Sequence, residues 1–377
     1  MPHALTHARP IVISEIEQLG GAERSLLALS GWLHLRGHAH YLLTYVDHCN
    51  LAQYATHPLT IIELKPGPGA RRKTASLKQH FQQRGASRYA PLVSGYQPAL
   101  HATLAGLREF HCLMHDTPAL FGDQDHRSLR GKLRISLANR IVGWGLRSGG
   151  AAIVTSEFLR AECRGDFGVE AHIARMGGLG ESVSVPRIRP VNPAGTVDRQ
   201  LRMLSVCRIE ANKRVDWMLR SLAALQHAAL PLSSRVDWRL EVAGKGSQIP
   251  ALQEMAASLG ISGRVHFHGF VSDEQLEALY DRAHLFLMPA IQGYGIPAIE
   301  SLQRGIPVLL HRQSGVSDIL LDTEWATVLA GDESTMLPAM REAIDKVIEG
   351  RHHRAPQPTL PSEDQWAERV AQLCRWV

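Results

Sequence analysis

The chain has 377 residues, 45% of them apolar and 20% charged, and carries a net charge of +5. Its length sets an expectation of two domains, each with its own core, and its composition is that of a soluble globular protein. No run approaches the ~18 apolar residues of a membrane-spanning helix, and the first ten residues lack the apolar segment of a secretory signal peptide.

The cysteines (Cys49, Cys112, Cys163, Cys207 and Cys374) are far apart and form no Cys-x-x-Cys pair. Reduced core thiols in a cytoplasmic protein are therefore expected, and a metal site built on them is not. Strands and helices alternate along the whole chain, the pattern of a parallel α/β architecture. In the first half, apolar runs at 11–14, 41–46, 59–64, 91–93, 110–114 and 151–156 read as strands of one sheet. Helices are expected over 22–35, led by Gly20 and Gly21 with Glu23 in the first turn, and from Glu157 onward.

Between them the segment 71–88 is basic, with Arg71, Arg72, Lys73, Lys78, Arg84 and Arg88. Such a cluster behind Gly and Pro residues reads as a solvated loop. Its functional reading is peripheral contact with an anionic membrane or a phosphorylated acceptor. Nucleic acid is not expected, because aromatic residues do not interleave regularly with these charges.

Residues 185–199 turn polar and proline-rich, which places a boundary between an N-terminal domain over 1–190 and a second domain over 200–355. The second domain repeats the alternation, with strands at 201–206, 238–243, 265–267, 284–288 and 307–310 and helices near 214–226, 249–259, 273–282 and 298–304. The last segment, 356–377, begins with Pro356, Pro358 and Pro361 and ends in a helix over 363–375. Ligands of open α/β sheets sit outside the carboxyl ends of the strands, so the cleft between two doubly wound halves is the expected site.

One stretch carries most of the chemistry. The apolar strand at 284–288 ends at Pro289, and a loop with Gly293, Tyr294 and Gly295 leads through Ile296 and Pro297 into a helix. A strand, a glycine loop and a helix N-terminus together can hold an anion with backbone N–H groups and the helix dipole. Glu300, one turn into that helix, can accept hydrogen bonds from two neighbouring hydroxyls of a ribose, or can simply complement the dipole.

The stretch resembles the donor-site motif of GT-B glycosyltransferases, in particular the retaining glycosyltransferase family 4 (group 1). That pattern is Glu-Gly-(Phe/Tyr)-Gly-x-Pro-x-x-Glu after a strand ending in Pro; here Gln292 stands in place of the first Glu, and Gly293 through Glu300 keep the rest. The resemblance extends over nearly the whole chain. Gly20 and Gly21 look like the family's N-terminal Gly-Gly-Ala-Glu loop, facing donor phosphate and acceptor. Residues 206–213 resemble its Gly-Arg-Leu-x-x-x-Lys segment, where Arg208 binds phosphate oxygens in fork geometry and Lys213 adds a point charge. The Gly244-Lys245-Gly246 turn matches a strand ending in Gly-x-Gly, and Val271 matches a position that meets the nucleotide base through its backbone. His115 falls where related enzymes place a histidine beside the transferred sugar.

The resemblance implies two Rossmann-like domains facing a central cleft, with a C-terminal helix returning to the N-terminal domain. It further implies a metal-independent retaining glycosyltransferase without a cofactor, which moves a hexose-type sugar from a nucleotide-diphosphate donor. The acceptor is a glycan or a lipid-linked molecule, in cell-surface polysaccharide or glycoconjugate synthesis. The residues expected at the reacting centre are His115, Arg208 and Lys213. Those expected to bind the donor are Gly20, Gly21, Val271, Gln292, Gly293, Tyr294, Gly295, Ile296 and Glu300. Two other readings stay open: a catalytically silent sugar-nucleotide-binding protein, which the Gln292 substitution keeps in view, and a GT-B epimerase, for which no acid/base pair is evident. Asp123-Gln124-Asp125 has the Asp-x-Asp form of a metal site, but a chance triplet in a polar loop accounts for it.

Overall fold

The computed structural model describes residues 6–85, 88–116, 129–178, 200–227 and 237–377. The chain divides into two compact units, Met1–Leu179 with Pro361–Val377, and Gly180–Leu360.

The first unit runs β1 (Arg9–Val12), α1 (Gly21–Leu35), β2 (His40–Thr44), β3 (Ile61–Glu63), α2 (Ala70–Arg84), β4 (Leu92–Ser94), α3 (Tyr96–Leu104), β5 (His111–Met114), α4 (Leu129–Leu146), β6 (Ala152–Val154), α5 (Glu157–Phe167) and β7 (His172–Ile173). Its strands form one parallel sheet in the order β3-β2-β1-β4-β5-β6-β7. The central strands are apolar on both faces, as burial between two helix layers requires: Ile11, Leu42, Leu43, Leu92, Val93, Leu113 and Ile153 are fully buried.

The basic segment is a helix and not the solvated loop its composition suggested. Ala, Arg, Lys and Gln are all good helix formers, and Gly69 and Gly85, with φ of 100° and 75°, bracket α2 at its two ends. Leu77 is its buried anchor. Two of the cations are structural. Lys73 pairs with Glu15 at 2.9 Å, and the buried Arg84 donates to the carbonyl of Ala8 and lies by the Tyr41 ring.

The C-terminal helix α12 (Glu363–Leu373) packs on α1 within this unit. The segment before it runs so close over Gly177 that a Cβ there would lie 2.5 Å from the Glu363 nitrogen. After it, Trp376 is buried, donates from its indole to the Ala90 carbonyl at 3.2 Å, and accepts from Arg9 Nε at 3.0 Å.

The second unit runs β8 (Gln200–Val206), α6 (Val215–His227), β9 (Asp237–Ala243), α7 (Ile249–Ser258), β10 (Val265–Gly269), α8 (Asp273–Arg282), β11 (Leu285–Met288), α9 (Ile296–Gln303), β12 (Val308–His311), β13 (Ala326–Leu329), α10 (Met336–Ile348) and the single turn α11 (Arg351–Arg354). Its sheet is also parallel, in the order β10-β9-β8-β11-β12-β13. The order of strand addition reverses between the parallel neighbours β8 and β11, so the connections leaving their carboxyl ends diverge and open a crevice. Among the described residues no helix is long and apolar enough to cross a membrane.

Burial in the first unit makes a prediction about pH. His101 accepts from or donates to Tyr45 Oη at 2.8 Å, and His111 Nδ1 accepts the Ala151 N–H at 3.0 Å. Burial pushes both rings down to about 4 from 6.5. The unfolded chain therefore takes up protons that the folded unit refuses, so stability is full above pH 6.5 and is lost as pH falls toward 4. The loss should be on the order of 2 kcal/mol per ring by pH 5. Thermal melts from pH 7.5 to 5 should show the first unit's transition dropping, with part of the drop absent in His101→Phe; an unchanged transition removes this account.

Candidate active site

The site in the second unit is assembled from the loops that leave β8, β9, β10, β11 and β12. After β8 the chain is laced to its neighbour: Cys207 N–H donates to the Ala243 carbonyl at 3.1 Å and Ile209 N–H to the Lys245 carbonyl at 2.8 Å. This lacing demands two glycines. A Cβ at Gly244 would lie 1.8 Å from the Cys207 oxygen, and one at Gly246 would lie 2.0 Å from the Ile209 oxygen. The Gly-x-Gly turn thus serves backbone packing. Ile209 is fully buried as the anchor of this loop, which leaves its neighbour Arg208 exposed at the mouth of the sheet.

Lys213, at the end of the one-turn helix Ala211–Lys213, reaches across the switch point. Its Nζ donates to Gln292 Oε1 at 3.0 Å. Two residues 79 positions apart, each singled out from a separate motif, therefore touch. The Gln292 backbone is fixed to the loop after β12: its N–H donates to the Gln313 carbonyl at 3.3 Å, and its carbonyl accepts from Gly315 N–H at 3.1 Å. Ser314 Oγ donates to the Tyr294 carbonyl at 2.9 Å in a buried contact. Gly293, Tyr294 and Gly295 are buried, and Ile296 and Gln292 are half-buried. Gly295 has φ of 146°, which strains any residue with a side chain, and a Cβ there would displace Met288 Cε, 2.5 Å away, at the start of α9.

Glu300, half-buried one turn into α9, accepts the Tyr280 hydroxyl on Oε2 at 3.0 Å. Burial first, and the Glu300 charge second, hold the Tyr280 proton well above its usual range, so the phenol acts as a donor. Val271 is half-buried just beyond β10, beside exposed Phe270, whose ring lies 5.0 Å from Lys245 Nζ.

In the first unit Gly20 and Gly21 lie at the start of α1, beyond the carboxyl end of β1. The Gly20 N–H donates to Glu23 Oε2 at 3.0 Å. Glu23 therefore closes the helix N-terminus on its own chain. His115 follows β5, two strand positions from β1 on the same carboxyl edge. Burial pushes it down to about 4, which keeps the ring neutral, and its Nε2 is buried with no hydrogen-bond partner among the described residues. An imidazole nitrogen left unpaired inside a protein is costly unless something else meets it. Among the described residues no group of three His, Cys, Asp or Glu could hold a metal; Asp123 and Asp125 lie outside them.

Sequence reasoning missed Tyr280 and the Ser314–Gly315 turn. The turn carried a signal, since it follows an apolar strand and contains a glycine, as the Gly293 loop does. Tyr280 carried none, because a tyrosine on a helix is ordinarily core.

Residues 191–358 match the family model described as glycosyl transferases group 1. The GDP-mannose-dependent alpha-(1-6)-phosphatidylinositol monomannoside mannosyltransferase of Mycolicibacterium smegmatis is 27% identical over 269 residues, 62% of this chain and 68% of that protein. Over residues 191–358 the chain resembles the group 1 glycosyltransferases, and it is a glycosyltransferase. Its fold is GT-B. WaaG, a glycosyltransferase involved in lipopolysaccharide biosynthesis, superposes with a TM-score of 0.69 at 19% identity, over 97% of this chain and 99% of that one. Anabaena HepE in complex with UDP-glucose superposes with a TM-score of 0.67 at 14% identity, over 98% and 100%. This glycosyltransferase thus has its family match within the unit that holds the Lys213–Gln292 contact.

Tyr280→Phe should leave the fold intact, because the ring stays, and should lower stability by about 1–2 kcal/mol through the loss of one hydrogen bond to Glu300. A denaturant melt reads this directly; unchanged stability would take the Tyr280 hydroxyl out of the support of Glu300.

Proposed function

We propose that this glycosyltransferase moves a hexose-type sugar from a nucleotide-diphosphate donor to a glycan or lipid-linked acceptor, with retention at the anomeric carbon. The observation that carries the reading is the Lys213–Gln292 contact at the switch point of the second unit. It is supported by relatives whose names state GDP-mannose dependence or a bound UDP-glucose.

In this reading Arg208, Lys213 and the N-terminus of α9 hold the diphosphate. Glu300 takes the ribose hydroxyls, the Val271 backbone meets the base, and Gln292 contacts the sugar. His115 orients the transferred sugar as a neutral ring, and Gly20 and Gly21 give the acceptor and phosphate room. The bond from the anomeric carbon to the diphosphate oxygen breaks, and the acceptor hydroxyl oxygen bonds to that carbon on the same face. Its proton passes to the departing phosphate oxygen. The charge that grows on the diphosphate is met by fixed cations and backbone dipoles. The setting is cell-surface polysaccharide or glycoconjugate synthesis on the cytoplasmic side.

A panel of nucleotide sugars, scored by the free nucleotide released with and without acceptor, tests the activity. Turnover should persist in EDTA, since cations of the chain replace a metal. Loss in EDTA with recovery on manganese addition would bring Asp123 and Asp125 back into consideration.

Arg208→Ala and Lys213→Ala should each lower kcat/KM on the order of ten- to a thousandfold. Glu300→Gln should weaken the nucleoside diphosphate and the full donor alike, about ten- to a hundredfold. Gln292→Ala should weaken only the sugar-bearing donor. Gln292→Glu should place an ion pair on Lys213 and weaken the bare nucleoside diphosphate. If Gln292→Ala lowers affinity for the bare nucleotide as much as Glu300→Gln does, the division between the two residues is wrong.

A further inference from the structure

Three of the large apolar side chains exposed among the described residues share one helix. Leu133, Leu137 and Trp144 of α4 are 71%, 61% and 64% exposed. At the helical repeat they fall within an arc of about 40°. The opposite face is buried and carries Gly131, Asn139, Val142, Gly145 and Leu146. The glycines show that this orientation is built in. A Cβ at Gly143 would lie 2.3 Å from the Phe167 carbonyl oxygen, and one at Gly145 would lie 2.0 Å from Thr103 Oγ1. The helix is pressed onto α3 and α5 through its smallest residues, and Trp144 between them is turned outward. Leu104, at the end of α3 and 51% exposed, adjoins a depression that Trp144, Ile141 and Arg140 also line.

The same helix is basic. Arg130, Lys132, Arg134 and Arg140 are exposed, Arg147 follows, and no Asp or Glu occurs from 129 to 148. Scattered exposed leucines need no explanation, but a stripe of them ending in a tryptophan does. A second copy would set these exposed cations against their own like charges, and a nucleic acid would leave the apolar stripe unused. An anionic bilayer uses both: the apolar side chains enter the headgroup boundary while the basic ones reach the phosphates around them. Helix α2 has exposed cations at Arg71, Arg72 and Lys78 but buries Leu77, and none of the exposed large apolar residues lies between 71 and 88.

We propose that α4 is a lipid-docking helix, which lies in the plane of an anionic membrane surface with Leu133, Leu137 and Trp144 inserted and Arg130, Arg134 and Arg140 on lipid phosphates. This goes beyond the donor chemistry and is read by binding alone.

The test is cosedimentation of the full chain with vesicles of phosphatidylcholine, with and without phosphatidylglycerol. Wild type should bind the anionic vesicles and remain in solution with the neutral ones. Leu133→Ser/Leu137→Ser/Trp144→Ser should weaken binding at least about tenfold, and Arg130→Gln/Arg134→Gln/Arg140→Gln to a similar degree. Arg71→Gln/Arg72→Gln/Lys78→Gln should stay within about twofold of wild type. Thermal melts coincident with wild type establish that the variants are folded, and the two α4 variants serve as independent probes. The proposal is overturned if wild type binds neither vesicle, if both vesicles bind equally, or if the α4 variants bind as wild type does. Dimerisation of wild type in sedimentation velocity without vesicle binding would assign the face to a second copy and also overturn it.

Discussion

Two backbone carbonyls, those of Cys207 and Ile209, come within 2.0 Å of where side chains at Gly244 and Gly246 would begin, and the placement of Arg208 and Lys213 follows from that approach. Because the loop after β9 can touch the loop after β8, Ile209 is drawn into the core and the chain on either side is held by hydrogen bonds of 3.1 and 2.8 Å. Arg208 is then presented at the sheet's carboxyl edge, and the following turn carries Lys213 toward β11. Residue types alone do not make this site. The cations are ordinary, and their position depends on the absence of two methyl groups.

The meeting of Lys213 with Gln292 has an electrostatic consequence. A carboxylate at position 292 would form an ion pair in a half-buried setting and would neutralise part of the charge that Lys213 offers to an anion. The amide oxygen accepts a hydrogen bond and holds the same geometry, yet leaves the ammonium charge uncompensated by this partner. Substitution at this position therefore alters the field of the crevice more than its shape. A neutral residue here is compatible with a site that binds polyanions.

The strand–loop–helix at 285–303 was legible because each level of the sequence agreed: an apolar run, a proline, glycines and a helix start. The alternation of elements likewise made both sheets legible. The basic segment 71–88 was misread because charge dominated the reading, while Leu77 and the good helix formers around it, bracketed by glycines, carried the helix. Helix α10 was passed over although Met336, Ala339, Met340, Ala343, Ile344 and Val347, all buried, follow the helical repeat closely. Strands β7 and β13 are edge strands without a continuous apolar run: β7 is only His172–Ile173, and Thr327 interrupts Ala326–Leu329. The Lys213–Gln292 contact was beyond any local reading, since it arises only when the sheet order brings β8 beside β11.

Glu300 is supported by the fold from behind. Tyr280 donates to it from α8, and Arg304, one turn later at the C-terminal end of α9, donates to its backbone carbonyl at 2.9 Å, lies 4.7 Å from the Tyr280 ring centre and pairs with Glu277 of α8. The two helices are thus joined by a phenol, a guanidinium and two carboxylates. A second acid in place of Tyr280 would repel Glu300, and an alkyl side chain would leave Oε2 without this donor. A phenol whose proton is held by burial does neither, so it fixes the carboxylate's orientation without cancelling its charge. The orientation of the α9 carboxylate is therefore set by a residue on another helix, 20 positions earlier in the chain.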